Sequence, residues 1–109
     1  MPTENETFLY LTTTGHKSGQ PHRIEIWFVV REGRYYIVAE RREKTHWVQN
    51  IRANPQVQFS IGTRADNGVL QAALARVIAP DGVVGQAITR LMQDKYGWAQ
   101  GTIVELTPD

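Results

Sequence analysis

The sequence contains no cysteine, which excludes disulfide bonds and thiolate metal sites. It also lacks a long apolar run, since no stretch approaches the roughly 20 residues that a membrane-spanning helix needs. The residues from Met1 to Glu6 are acidic and polar, unlike a secretory signal. The three histidines show no metal-ligand spacing. We therefore expect a cytoplasmic protein with no metal site and no insertion into a membrane.

A strong charge of either sign is missing as well. The chain has 12 Lys and Arg against 11 Asp and Glu, whereas nucleic-acid binders usually carry a strong basic excess on one face. The basic residues are nevertheless concentrated, because residues 15–52 hold eight Lys or Arg against four Glu. This local excess favours a small anionic ligand over nucleic acid, although scattered solvated charges would give the same count. A length of 109 residues predicts one domain, 1–109.

Six segments have the composition of β-strands, rich in β-branched and aromatic residues and bounded by turn residues. In the second segment, inward apolar positions from Ile24 to Val30 alternate with charged residues and a tryptophan. A short hairpin is expected at Glu32-Gly33-Arg34. The fifth segment also permits a helix, because it is rich in alanine. The predicted strands are 7–14, 23–31, 35–40, 56–61, 69–79 and 102–106.

Two helices are expected between these strands. Thr45 can cap the first, which runs to Ala53 and ends at Asn54-Pro55. Asp81 can cap the second, which ends near Gly97. Its apolar stripe comprises Val84, Ala87, Ile88, Leu91 and Met92. Six strands in mostly hairpin order with two helices indicate a mainly β protein, a closed or half-closed antiparallel barrel. A doubly wound parallel fold would need a helix after nearly every strand.

A glycine-bounded basic turn joins the first two predicted strands. It runs from Gly15 through Lys17 and Ser18 to Gly19, and Arg23 follows it on the next strand. Backbone N–H groups, a hydroxyl and a lysine can all be aimed at an anion from such a turn. Its spacing does not match a nucleotide-hydrolysing P-loop. An ordinary hairpin loop remains the alternative, as does a pairing of Arg23 with a glutamate.

Two further features permit more than one interpretation. The basic segment 41–44 precedes a helix start, where positive charge opposes the helix dipole and an anion would relieve the mismatch. A solvated loop is the alternative there. Trp27, Trp47 and Trp98 are suited to the core, to a subunit contact or to stacking on a flat ring.

The order of motifs between residues 11 and 61 resembles the deazaflavin-dependent nitroreductase and quinone-reductase family. The resemblance implies a split β-barrel related to the FMN-binding pyridoxamine-phosphate oxidases. It also implies a two-electron reductase that takes hydride from the reduced deazaflavin coenzyme F-420. The matching residues are Thr13, Thr14, Gly15, Lys17, Ser18, Gly19, Trp47, Asn50, Asn54 and Pro55.

The resemblance also implies cofactor-binding roles for individual residues. A phosphate would be held by Lys17, Ser18 and Gly19, with help from Arg23, while Arg41, Arg42 and Lys44 would meet the anionic tail. The flat ring would lie near Trp27 and Ala39, and Thr14 and Trp47 complete the set. No catalytic side chain is implied. Three residues depart from the family pattern: His16 replaces an arginine, Glu40 places an anion near the ring, and Trp27 stands where a tyrosine would donate a proton.

The expected reaction is hydride transfer to a quinone-like or nitro-aromatic small molecule. Two alternatives stay open, an FMN-binding oxidoreductase that uses the same turn and a non-catalytic carrier of flavin or deazaflavin. A homodimer is expected, because a small half-closed barrel with tryptophans on a strand face would expose apolar area as a monomer.

Overall fold

A computed structural model describes residues 7–15, 17–39, 46–62, 70–99 and 101–109. In this part of the chain, six strands and two helices follow one another in the order β1, β2, β3, α1, β4, β5, α2, β6. The strands are β1 Phe8–Thr14, β2 Pro21–Arg31, β3 Arg34–Ala39, β4 Gln56–Gly62, β5 Gln71–Ile78 and β6 Thr102–Pro108; the helices are α1 His46–Ala53 and α2 Val83–Tyr96.

The six strands form a closed antiparallel barrel with the order β1-β2-β3-β6-β5-β4. The first three strands are a meander, after which β3 pairs with β6, and β4 closes the barrel against β1. Each strand pairs with two neighbours, and β2 does so over two successive stretches: residues 21–27 pair with β1, and residues 28–31 pair with β3. The predicted mainly β barrel with two helices is confirmed.

The strand limits differ from the predicted ones by a few residues. β2 begins at Pro21, because the ladder with β1 continues to the Thr14–Pro21 pair. β6 continues to Pro108, which pairs with Ala73. The alanine-rich fifth segment is a strand, since a partner strand on each side decides what its composition left open. The Glu32-Gly33 hairpin is confirmed, with φ of 52° and 78° at its two loop residues.

Alternate residues of every strand point into the barrel and form the main core. The predicted inward positions Val57, Phe59 and Ile61 of β4 pack in this core. α1 adds Val48 and Ile51 to the same cluster, so the helix packs against the barrel interior. The fully buried side chains of this core include Leu9, Leu11, Phe28, Ile37, Phe59, Val104 and Leu106.

α2 covers the outer face of β2, β3 and β6. Its buried Ile88 and Met92 pack against outward residues of these strands, including Tyr36 and Ile103. The predicted apolar stripe of this helix is thereby confirmed. No helix in the described ranges is both long and apolar enough to cross a membrane.

The two ends of α2 differ in how well the sequence predicted them. The N-cap is Gly82, with no side-chain hydrogen bond, so the prediction of Asp81 as the cap is wrong by one residue. The cap is Gly82 because the carbonyl of Gly82 accepts the hydrogen bond from the Gln86 N–H (2.9 Å). The Gly85 backbone in the first turn packs against the carbonyl of Ala79, which leaves no room for a side chain. At the other end, Gly97 terminates the helix as predicted, with φ of 73° and its N–H bonded to Gln93 O.

Candidate functional site

Three hydrogen bonds among the described residues of the loop between β1 and β2 fold this loop on itself. The N–H of Gly15 donates to Gln20 O (2.8 Å), and that of Gly19 donates to Gly15 O (3.0 Å). The N–H of Gln20 donates to Ser18 Oγ (3.2 Å). Gly19 takes a φ of 71°, which glycine adopts without strain. The N–H groups of Gly15, Gly19 and Gln20 are thus used within the loop, and the exposed side chains of Lys17 and Ser18 can meet an anion there.

Gly15 is the packing point of this loop. A Cβ at this position would lie 2.6 Å from Ser18 Oγ and 2.8 Å from His22 Nε2. The hydroxyl and the imidazole therefore both lie against the Gly15 backbone. His22 pairs with Thr13, and both side chains lie on the inner face of the sheet. The sequence analysis assigned His22 no role in this loop.

The outward side chains of β2 form a row beside the loop. Arg23 comes first, with its guanidinium carbon 4.7 Å from the centroid of the Tyr10 ring. Glu25 follows and accepts a hydrogen bond from the Tyr10 hydroxyl (2.9 Å). Trp27 is next, two residues further along. Strand geometry separates Arg23 from Trp27 by about 13 Å, so a cation, a carboxylate and an indole succeed one another over that length.

Trp27 is part of an aromatic cluster on the outer face. Its ring stacks on Tyr96, with centroids 4.5 Å apart and an interplanar angle of 5°. The ring of Trp98 meets it edge-on at 6.0 Å and 72°. Trp27 nevertheless keeps 36% of its surface exposed. A flat ligand therefore has aromatic surface available next to the row of β2.

The hydroxyl of Tyr96 is fixed by the backbone of β2 and of the residue preceding β1. It accepts from the N–H of Phe28 (3.1 Å) and lies 2.7 Å from Thr7 O and 3.0 Å from Phe28 O, both acceptors for its hydrogen. Burial raises the pKa of Tyr96, against the weaker lowering effect of its hydrogen bond to Phe28. Sequence reasoning missed this residue. The signal was present, because Tyr96 lies four residues after Met92 and continues the buried stripe.

The structure does not bring all of the predicted ring-binding residues together. Trp27 lies on the outer face, whereas Ala39 is buried in the barrel interior. The pairing of Phe28 with Ile37 places both of those on the inner face, and Val38 packs outside with α2. The side chains of Trp27 and Ala39 therefore lie on opposite faces of the sheet, and the expectation that one ring lies near both residues stays a prediction.

The remaining predicted site residues are Trp47, Thr14 and the three basic residues of segment 41–44. Trp47 is buried in the main core, and a core position was one of the three interpretations of the tryptophans. Thr14 is half-buried on the same face as Arg23. The predicted tail-binding residues Arg41, Arg42 and Lys44 lie outside the described residues, as do His16, Glu40 and the predicted cap Thr45.

A second polar cluster lies on the outer face of β3, β6 and β5. The buried carboxylate of Glu105 accepts from the Tyr36 hydroxyl (2.9 Å) and from Arg76 Nε (3.1 Å), with Arg34 3.5 Å away. Burial, followed by the hydrogen bond and charge of Glu105, raises the pKa of Tyr36. These groups satisfy one another, which indicates a structural role. Among the described residues, no group of three His, Cys, Asp or Glu is arranged to hold a metal ion.

Solved structures share this fold across most of the chain. HutZ, described as the heme storage protein from Vibrio cholerae, matches with a TM-score of 0.79 and 17% identity over 98% of this chain and 84% of its own. A candidate pyridoxamine 5′-phosphate oxidase from Listeria innocua matches with 0.75 and 16%, over 98% and 87%. A structure described as an F420-H2 dependent reductase, FDR-A, matches with 0.70 and 22%, over 91% and 92%.

The family comparison is more specific than the fold. Residues 2–94 match the model of the F420H2-dependent quinone reductase family. The matched region includes the β1–β2 loop, the row on β2 and α1, which are the segments that carry the sequence resemblance. Split-barrel architecture, the basic glycine loop and the family match agree. The chain therefore belongs to the F420H2-dependent quinone reductases, oxidoreductases that use a reduced deazaflavin coenzyme.

Proposed function

We propose that this protein binds reduced coenzyme F-420 along the outer face of β2 and passes its hydride to a quinone-like or nitro-aromatic acceptor. The observation that carries the proposal is the row of Arg23, Glu25 and Trp27, which begins beside the basic loop. A phosphate, a hydroxylated chain and a flat ring succeed one another in the coenzyme in the same order. The row therefore offers a chemically suitable group to each part.

The phosphate would be held at the start of this row. Lys17 and Ser18 are exposed at the tip of the loop. Arg23 is the third residue of β2 and lies on the outer face. Ser18 Oγ accepts from Gln20 N–H, so its own hydrogen can be donated to a phosphate oxygen. Thr14, on the face of Arg23, adds a hydroxyl. The N–H of Gly19 already donates to Gly15 O, so Gly19 would contribute through the left-handed backbone turn that shapes the loop.

The hydroxylated chain and the ring would follow toward α2. Glu25 already accepts from Tyr10, and a carboxylate has further lone pairs for hydroxyl hydrogens. Trp27 would stack on the ring. When bound, the coenzyme supplies the hydride, and the protein contributes position and electrostatics. No side chain is assigned as proton donor, because an electron-poor acceptor can take a proton from water after the hydride.

The tail would reach the basic segment that contains Arg41, Arg42 and Lys44. Two separate basic segments suit a ligand with a phosphate and a long anionic tail better than the single phosphate of FMN. Trp47 is buried in the core, so we propose that it acts on the site through the packing of α1. Ala39 would act in the same indirect way from the barrel interior.

We also propose a homodimer in the cytoplasm. Leu70 and Leu74 are 54% and 47% exposed, and such apolar surface favours association. One similar structure, 21% identical to this chain, is described as a domain-swapped dimer. A cytoplasmic location fits a chain without cysteine. Light scattering of the purified protein tests the dimer, with a mass of twice 12.4 kDa expected.

A cofactor titration followed by turnover tests the proposed function. Reduced F-420 and FMN are each titrated at low and moderate salt, and menadione and a nitro-aromatic dye are then supplied as acceptors. We expect tighter binding of F-420, a preference that falls with salt as the exposed charges are screened, and reduction of an acceptor. Tighter binding of FMN at both salt concentrations would replace the deazaflavin by FMN. Binding of F-420 without any turnover would indicate a carrier.

A further inference from the structure

The exposed indole of Trp27 is held from one side by Tyr96. The two rings are parallel within 5° at 4.5 Å, and Trp98 approaches the indole edge-on. With 36% of its surface exposed, Trp27 can still contact a ligand. The orientation of that open surface is therefore set by the ring behind it.

The hydroxyl of Tyr96 lies at the end of the β1–β2 ladder. The last pair of this ladder is Phe8 with Trp27, so the next rung would join Thr7 to Phe28. The Tyr96 hydroxyl stands in that place, bonded to the N–H of Phe28 and to the carbonyl of Thr7.

The preceding residue of α2 strengthens this attachment. Lys95 Nζ donates to Phe28 O (3.1 Å) and lies 3.9 Å from the centroid of the Phe28 ring. Two consecutive side chains thus attach the last turn of α2 to one residue of β2. The Tyr96 ring has little freedom to slide, and neither has the indole that stacks on it.

We propose that Tyr96 is a positioning residue, which fixes the Trp27 indole in the orientation that receives a flat ligand ring. This inference rests on the proposed function, because it takes Trp27 as the surface that meets the deazaflavin ring. A side chain that is already ordered loses less conformational entropy on binding. The expected advantage in ring affinity is about two- to tenfold.

The test measures ring binding separately from phosphate binding. The probe is 5-deazariboflavin, which carries the ring and the hydroxylated chain without phosphate or tail, and its own fluorescence reports binding. The variants are Tyr96→Leu, Trp27→Leu and their combination. We expect Tyr96→Leu to raise the Kd about two- to tenfold while Trp27 is present, and to add nothing once Trp27 is replaced. Tyr96→Phe keeps the stack but loses the hydroxyl bonds, so an intermediate Kd is expected.

A matched control separates positioning from general stability. Val84→Ala trims the same helix at its other end, in the packing between α2 and the barrel, and should lower Tm without changing the Kd. An equal rise in Kd for Val84→Ala would overturn the positioning role, as would additive effects of the Tyr96 and Trp27 substitutions. If the wild-type protein binds neither the probe nor F-420, the proposed function fails and this inference fails with it. If the wild type binds but Tyr96→Leu leaves the Kd unchanged, only the inference fails.

Discussion

The side-chain amide of Asn50 donates a hydrogen bond to the hydroxyl of Thr13 at 3.1 Å, inside the protein. Both residues are buried, and they join α1 to the strand that leads into the glycine loop. Thr13 and Asn50 both match the family pattern, and this hydrogen bond gives the two residues a structural role. The bond holds α1 in a fixed relation to β1, the strand that leads into the β1–β2 loop.

Removing this bond should destabilise the protein. Asn50→Ala would leave the Thr13 hydroxyl without this partner in a buried place, at a cost of about 1 to 3 kcal/mol. Urea denaturation measures the loss. Gln49→Ala changes an exposed neighbour on the same helix and should stay within about 0.5 kcal/mol of wild type. Equal stability of the two variants would show that the bond contributes nothing.

The sequence predicted best those features that depend on neighbouring residues. The Glu32-Gly33 turn and the end of α2 at Gly97 follow from local backbone preferences, and both are present. Alternation also identified the inward face of β2. The helix start is less well defined locally, and the cap is Gly82, one residue after the expected Asp81.

The site was harder to predict, because its contacts join distant parts of the chain. The hydroxyl of Tyr36 meets Glu105 across 69 positions, and that of Tyr96 meets the N–H of Phe28 across 68. No pattern within one strand reveals such partners. The separation of Trp27 from Ala39 was accessible in principle, since a two-residue hairpin fixes the register between β2 and β3.

The Glu105 cluster should contribute measurably to stability. Glu105→Ala removes the acceptor of the buried Tyr36 hydroxyl, which we expect to cost about 1 to 3 kcal/mol. The ion pairs add little to this figure, because the partner side chains of Arg34 and Arg76 are 48% and 68% exposed. The control is Glu32→Ala, which breaks an exposed pair with Arg31 and should cost less than about 1 kcal/mol. A loss at Glu105 no larger than at Glu32 would contradict the structural role.

Alkaline pH should destabilise the protein through Tyr36 and Tyr96. Burial raises the pKa of both phenols above the ordinary value of 10.0. The folded state then keeps protons that the unfolded chain releases, so the free energy of unfolding is unaffected below pH 10.0 and falls as the pH rises through the folded-state pKa values. Urea titrations between about pH 8 and 11 give the slope. The double substitution of both tyrosines by phenylalanine should reduce this slope, and an unchanged slope would refute the assignment.

Lys17 should matter for the coenzyme and not for the fold. Its side chain is exposed at the tip of a loop that is held by hydrogen bonds of Gly15, Gly19 and Gln20, so Lys17→Ala should leave the Tm of the ligand-free protein nearly unchanged. Losing one charge-assisted hydrogen bond to phosphate costs about 1.5 to 3 kcal/mol, or roughly 10- to 150-fold in Kd for F-420. Arg90→Ala removes the same charge from the exposed face of α2 and serves as the control.

The phosphate-free ring probe sharpens the Lys17 prediction. If Lys17 binds the phosphate, Lys17→Ala weakens F-420 but leaves the Kd of 5-deazariboflavin unchanged, because that probe has no phosphate for the ammonium to meet. A purely long-range effect of net charge would instead weaken F-420 equally in Lys17→Ala and Arg90→Ala, and would fade with added salt. Equal Kd values for F-420 in Lys17→Ala and wild type would show that the glycine loop is a hairpin connection with no part in anion binding.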